Sequence, residues 1–567
     1  MGSKHAARVV GAALAMAASV LVLGSAPAGA ATTTIQATGA TITRSDATAG
    51  TTLTVKATVA RLDLWCSSNK LVVNKKATTI PCDRLLNVTT TGLTGNDAVE
   101  INATNFGSAL PKTTLAVKTG AGNDTINVRH NGTLTVYAGA GNDKIGAGLA
   151  SGKHPVSETL LGEDGNDTLS NYGFITATQV LYDGTAAVTA KSKALGSTMR
   201  GGPGTDTIIG DNFRWSDITF ASNDTVNLKE GPALLSPDEG TGVAPSWTYQ
   251  VSSGDPNNAD TLTYGRATSL TVRCAAAGSS FRYTINGLLL PIPCAYHYLD
   301  VQGTARAETF DYDQNRGSGP NRYGHYLDVV LGGGNDVAKV RTTGGTSLEG
   351  GDGNDSLTAG FTGAGGEMGF GAHLSGGNGN DTLTNLGFVF ANPPAYDPDA
   401  SYDYLVGLDG GPGVDRINGA ATTIDHFQLD VDDTIVDPGG PAWARFTGTS
   451  GSDNVRINGN GTAATTLDVV LPGMTAQKRI TVPIAVQQLT VETLGGDDSI
   501  NPFGRSKGTA VYADTGDGID SITFRIQDPH TDVTSADGLY RTITQTGYQP
   551  VTWQTLNVER VTRNFGD

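Results

Sequence analysis

The sequence predicts an all-β chain, folded as a right-handed parallel β-helix or β-roll-like solenoid of stacked Gly-Asn-Asp turns and internally duplicated. Three observations predict it. Thr, Val and Ile abound and long amphipathic helical patterns are absent, so strands dominate. Glycine occurs 76 times in 567 residues, well above the usual ~7%, and it sits between alternating segments rather than in polar low-complexity tracts. Finally, one turn pattern recurs along the chain, G-G-x-G-x-D-x-U, where U is a large apolar residue. Tandem antiparallel β-sandwich modules are the competing arrangement. They would have to explain why Gly-Asn-Asp returns at one place relative to a Leu-x-Val strand, which stacked corners explain directly.

The first thirty residues (1–30) read as an export signal. Lys4 and Arg8 give a positive start, an apolar run extends from Val9 to Leu23, and Ala28-Gly29-Ala30 is a small-residue cleavage site. Cleavage near Ala30 implies a secreted, extracellular product. No later apolar run has the length of a membrane-spanning helix. The formal net charge of −17 argues against nucleic acid and anionic membranes as partners, because both call for clustered Lys and Arg.

From Ala31 the chain alternates strand and turn. Thr52-Leu53-Thr54-Val55-Lys56-Ala57 alternates as a strand with one buried face should. Full turn matches are Gly201 to Ile208, Gly350 to Leu357, Gly376 to Leu383 and Gly410 to Ile417, with aspartates Asp206, Asp355, Asp381 and Asp415. Shorter G-x-D cores place Asp97, Asp124, Asp143, Asp167, Asp336, Asp498 and Asp520 in the same role.

Spacing carries more than any single motif. Asp97, Asp124, Asp143, Asp167 and Asp206 are separated by 27, 19, 24 and 39 residues. Glu308, Asp336, Asp355, Asp381 and Asp415 are separated by 28, 19, 26 and 34. Asp224 and Asp433 each follow their series by 18. A third, shorter copy holds Asp498 and Asp520. Ile80-Pro81-Cys82, Ile292-Pro293-Cys294 and Val482-Pro483-Ile484 mark equivalent places. The expected organisation is a first repeat unit over 31–228, a linker over 229–251, a second unit over 252–437 and a truncated third over 438–567.

Four cysteines permit three pairings. Locality favours Cys66 with Cys82 and Cys274 with Cys294, which the oxidising compartment expected for an exported chain permits. Neither pair has the C-x-x-C spacing or the nearby histidine cluster of a zinc site.

The G-G-x-G-x-D-x-U turn resembles the haemolysin-type, or RTX, calcium-binding repeat. That resemblance implies calcium held between stacked turns by aspartate carboxylates and backbone carbonyls, the hard oxygen ligands calcium requires. It implies ligand roles for Asp206, Asp355, Asp381 and Asp415, then for Asp124, Asp143, Asp167 and Asp336, then for Asp97, Asp498 and Asp520, and last for Glu308. Family repeats run in tandem, whereas here the motif occurs once per rung, so one edge of the solenoid would carry the column. The alternative for the same residues is that Asn and Asp build turns by bonding nearby backbone N–H groups.

The function expected is therefore a secreted calcium-binding repeat protein with a structural, adhesive or interaction role. Extracellular polysaccharide or cell-surface material is the partner class that suits it. No H-E-x-x-H, G-x-S-x-G or Walker pattern occurs, and no catalytic residue is assigned. A β-helix lyase, hydrolase or epimerase acting on extracellular polysaccharide is the competing reading. Its candidate groups are Asp311 and Asp313 with Arg316 and Arg322, and the patch Tyr402-Asp403-Tyr404.

Overall fold

The computed structural model describes residues 32–565 except 93, 109–112, 131, 150–156, 172–196, 211–215, 229–232, 241–242, 252–259, 278–279, 294–297, 314–325, 343–344, 361–371, 388–404, 421–423, 437–441, 459–464, 483–485, 503–509, 527–529, 535–539, 546–550 and 555–559. No helix occurs among the described residues; the elements are all strands. The chain divides into two compact units, Met1–Gly254 and Asp255–Asp567.

The first unit opens with an antiparallel meander, Thr32–Ala37, Ala40–Ala47 and Gly50–Ala57. Its last strand begins a parallel series that continues through Leu85–Thr91, Thr114–Ala121, Thr133–Ala140, Ser157–Asp164, Ser197–Arg200, Ser216–Phe220 and Ala233–Pro237. A second parallel sheet takes the intervening strands Arg61–Ser67, Ala98–Asn102, Thr125–His130, Lys144–Leu149, Thr168–Ser170, Thr207–Gly210 and Thr225–Leu228. Each coil thus runs strand, glycine turn, strand, and the next coil stacks on it.

Residue alternation explains which side faces in. Along Thr133–Ala140 half-buried and buried residues alternate until the exposed Ala140, with Leu134, Val136 and Ala138 all at 0% exposure. Successive side chains of a strand point to opposite faces, so the apolar set of each strand meets that of the facing sheet. Among the described residues the antiparallel pairs join strands consecutive in sequence, as meanders and hairpins, while the rungs pair in parallel, so the architecture is a stacked parallel solenoid and not a set of sandwiches.

The second unit repeats the plan. Asp260–Tyr264, Tyr298–Gln302, Tyr326–Gly333, Gly345–Asp352, Ala372–Asn378, Leu405–Asp409, Ile424–Leu429, Ala442–Thr447, Val486–Glu492 and Ala510–Asp514 pair in parallel. Across the core run Ser269–Ala277, Thr309–Asp313, Val337–Arg341, Ser356–Ala359, Thr382–Asn385, Arg416–Asn418 and Thr434–Val436. A shorter sheet follows, with Asn454–Asn458, Ser499–Pro502, Ser521–Ile526 and Arg560–Phe565 in parallel.

Each of the three sequence copies opens with one rung strand prolonged into an antiparallel meander. These are Arg61–Ser67, Lys70–Val73 and Lys76–Pro81; Ser269–Ala277, Ser280–Ile285 and Leu288–Pro293; and Asn454–Asn458, Thr465–Val470 and Lys478–Val482. Asn74 and Asn286 turn equivalent hairpins at positive φ, 44° and 49°. Their side-chain oxygens accept the N–H of Asp63 and of Thr271. Cys66–Cys82 is a disulfide with Cα atoms 6.2 Å apart, and it ties the first meander. Cys274 is disulfide-bonded, and Cys294 lies outside the described residues.

The described part of the span 229–251, read from its prolines as a linker, holds sheet. Ala233–Pro237 continues the parallel series and Trp247–Val251 folds back antiparallel on it. Prolines mislead here because Pro237 closes its strand, where a missing N–H costs no interior ladder bond.

Candidate metal centre: the acidic turn columns

The motif aspartates stack at the turn that leads from the long sheet to the facing sheet. In the first copy the backbone N–H of Asp97 donates to Oδ1 of Asp124 (2.7 Å), Asp124 to Asp143 (2.7 Å), Asp143 to Asp167 (2.8 Å), Asp167 to Asp206 (2.7 Å) and Asp206 to Asp224 (3.0 Å). The second copy repeats it: Glu308 to Asp336 (2.6 Å), Asp336 to Asp355 (2.7 Å), Asp355 to Asp381 (2.7 Å), Asp381 to Asp415 (2.6 Å) and Asp415 to Asp433 (3.2 Å). The third has Asp453 to Asp498 (2.7 Å) and Asp498 to Asp520 (2.8 Å).

Asp453 was missed in the sequence because Gly451-Ser452-Asp453 has a single glycine and stands 45 residues before its partner Asp498. Asp224 and Asp433 were visible only as spacings. They end their columns, and their second oxygens accept the N–H of Ala221 and of Asp430 within their own turns.

A second ladder runs beside the first in the opposite sense. Asn96 Oδ1 accepts the N–H of Asn123, Asn123 that of Asn142, Asn142 that of Asn166, and Asn166 that of Thr205. Asn335, Asn354 and Asn380 do the same for Asn354, Asn380 and Val414. The Asn of Gly-Asn-Asp therefore bonds forward to the next rung, while the Asp carboxylate bonds back to the previous one.

The glycines of the full motif have separate reasons. A Cβ on Gly350 would lie 2.3 Å from Oδ2 of Asp355, so the first glycine makes room for the carboxylate. Gly351 and Gly353 have φ of 107° and 139°, and a Cβ on either would meet the carbonyl oxygen of the rung below, Gly332 or Gly334, at 1.9 and 1.6 Å. Only glycine tolerates both the conformation and the approach. Leu357, the U position, is fully buried in the core.

The carboxylates are nonetheless left incomplete. Asp124, Asp143, Asp167, Asp206, Asp336, Asp355, Asp381, Asp415 and Asp498 are at most 2% exposed, and Oδ2 of each has no hydrogen-bond partner. A buried ionised oxygen without a partner is costly. Burial accordingly pushes Asp143, Asp206, Asp336 and Asp381 up to about 6 and Asp167 up to about 7, with the ladder N–H offsetting part of it and neighbouring carboxylates adding to it. Asp433 is pushed up to about 7 by burial and then by Asp415. Asp355, Asp415, Asp453 and Asp498 are raised for the same first reason.

Those orphaned oxygens are the donors a hard cation takes. Among the described residues no three His, Cys, Asp or Glu side chains converge. Any ion in the column would therefore have to draw on successive carboxylates together with backbone carbonyls and water.

Two of the remaining candidates are held in ion pairs. Asp311 pairs with Arg273 (2.5 Å) and Asp313 with Arg341 (3.0 Å). Arg316, Arg322, Tyr402, Asp403 and Tyr404 lie outside the described residues. His130 is buried, with Nδ1 2.9 Å from the carbonyl of Gly132 and Nε2 2.8 Å from Glu158. Oε2 of Glu158 accepts from Ser197 at 2.6 Å. This cluster had no sequence signal, because its members stand 28 and 39 residues apart. No helix of the described residues is long and apolar enough to cross a membrane. No protein-family model matches the chain, and no curated protein matches it.

Proposed function

We propose that the chain is an exported calcium-binding β-solenoid whose role is structural, adhesive or interactive. The observation that carries this reading is the series of buried Oδ2 atoms without partners on consecutive rungs, at Asp124, Asp143, Asp167 and Asp206 and again at Asp336, Asp355, Asp381 and Asp415. Calcium would supply positive charge between carboxylates that the folded chain forces together. Because the column exists only when the rungs stack, binding and folding would be coupled.

Chain-borne groups do the rest. The ladder N–H groups fix each Oδ1, which leaves Oδ2 as the available ligand atom. The glycines hold the turn carbonyls in successive rungs at close approach. The N-terminal 1–30 segment supports export, and the repetitive surface suits extracellular polysaccharide or cell-surface material.

Isothermal titration of the 31–567 chain with calcium, alongside melting with and without chelator, tests the reading. Heat of binding and a raised melting temperature are expected. A transition that chelator leaves unmoved, with no binding heat, would sink it.

A further inference from the structure

Two outward columns of the first unit's long sheet form a regular array of hydroxyl groups. Parallel pairing puts Thr52, Asn87, Thr114, Thr133 and Ser157 in one column, and Thr54, Thr89, Ala116, Thr135 and Thr159 in the next. Eight of these ten positions carry a hydroxyl, and none carries a charge, on a chain of net charge −17. Register is unbroken from Asn87 to Thr159. Each side chain of the array other than Ala116 is exposed or half-exposed. Among the described residues their only protein hydrogen bond is a long one, from Asn87 Nδ2 to Thr52 Oγ1 at 3.4 Å.

The solenoid does not demand this composition. The second unit has the same backbone, and at equivalent places it presents Tyr298 and Asp300, then Tyr326 and Asp328, then Gly345 and Ser347. Strand propensity alone favours Thr, but it applies equally to both units, so it does not account for an array confined to one.

Parallel strands repeat about every 4.8 Å and alternate residues about every 6.6 Å along a strand. The result is a two-dimensional hydroxyl lattice with a methyl group beside each threonine oxygen. Branching at Cβ restricts χ1, so the threonine hydroxyls lose little freedom on ordering against a partner, which favours binding. These repeats are of the order of the oxygen spacings on ice surfaces. Single glycan chains are gripped mainly by aromatic stacking; neither column contains an aromatic residue, and Tyr137, in the adjoining column of the same face, already has the Lys118 ammonium 4.9 Å from its ring centroid.

We propose that this threonine face of the first unit binds ice, taking ordered water into register with its two hydroxyl columns. The inference is independent of calcium and of the acidic turns. The test is ice-affinity partitioning and thermal hysteresis of the 31–567 chain, with Thr89→Tyr/Thr135→Tyr as the variant and Ser347→Tyr on the second unit as control. Melting curves establish that each chain folds.

Partition into ice, lost in the double variant and kept in the control, is the expected result. If the folded wild-type chain stays in the liquid, the proposal is overturned. Activity unaffected by T89Y/T135Y overturns it too, as does adsorption to crystalline cellulose or chitin without ice affinity. Should the double variant fail to fold, Thr89→Val/Thr135→Val keeps the shape and removes two hydroxyls, and must weaken the partition.

Discussion

The backbone N–H of Asp336 donates to Oδ1 of Asp355, 19 residues on and one rung away, while Oδ2 of the same carboxylate is buried without a partner. One oxygen supports the stack and the other burdens it. Asparagine at 355 keeps an acceptor and removes the charge, whereas alanine removes the acceptor as well. In chelator, Asp355→Asn should melt at or above the wild-type temperature. Asp355→Ala should lose about 1–3 kcal/mol, the cost of a buried N–H left unpaired. Under the proposed function the order should change in calcium: wild type should gain, and D355N should gain less, having lost a proposed ligand oxygen. Denaturant melts of the three chains with and without calcium check this; D355N and D355A losing stability equally in chelator would contradict it.

Glycine substitutions separate motif from scaffold. A Cβ on Gly353 meets the Gly334 carbonyl at 1.6 Å with φ at 139°. Gly353→Ala should therefore destabilise by at least ~1–3 kcal/mol, the usual range for forced backbone strain. A Cβ on Gly95 meets nothing within 4 Å, and Gly95→Ala should change the melting temperature little. Equal losses from the two would show that the stacked carbonyls do not constrain the turn.

Much of this was legible from spacing. A stacked column requires one acidic turn per coil, and the intervals between Asp97 and Asp206 vary from 19 to 39 residues while the strands flanking each turn keep their parallel pairing. Partner direction was not legible. The residues of Gly-Asn-Asp are adjacent in the chain, yet Asn142 bonds to Asn166 while Asp143 serves Asp124, and only the stacked backbone sets that. Asp453 escaped for a related reason: its partner Asp498 lies beyond a complete antiparallel meander. The outward threonines read as ordinary strand residues until pairing aligned them.

The disulfide Cys66–Cys82 closes a loop of 16 residues, for which the chain-entropy model gives ~3 kcal/mol. The equivalent meander over Asn454–Val482 forms without cysteines. Cys66→Ser/Cys82→Ser should accordingly lower stability yet retain the wild-type far-ultraviolet circular dichroism. Loss of strand signal at 25 °C would show that the first meander depends on its cross-link for folding.

Acid should stabilise the calcium-free chain. Six aspartates, Asp143, Asp167, Asp206, Asp336, Asp381 and Asp433, are raised to about 6 or 7 in the fold, against about 3.9 in an unfolded chain. A raised carboxyl binds protons more tightly when folded. Its contribution is fully present below the unfolded value and is lost as pH rises through the folded one. His426 works in the other direction, since burial and then Arg445 lower it and protonation in acid costs stability; one such group does not offset six. In chelator the melting temperature should rise from pH 8 to pH 5. Under the proposed function, calcium in the column would replace the missing protons at pH 8 and compete with them at pH 5. The stabilisation by calcium should then be large at the higher pH and small at the lower. A chelated melting temperature that is flat or falls on acidification would show that the buried carboxylates do not govern the stability of the stack.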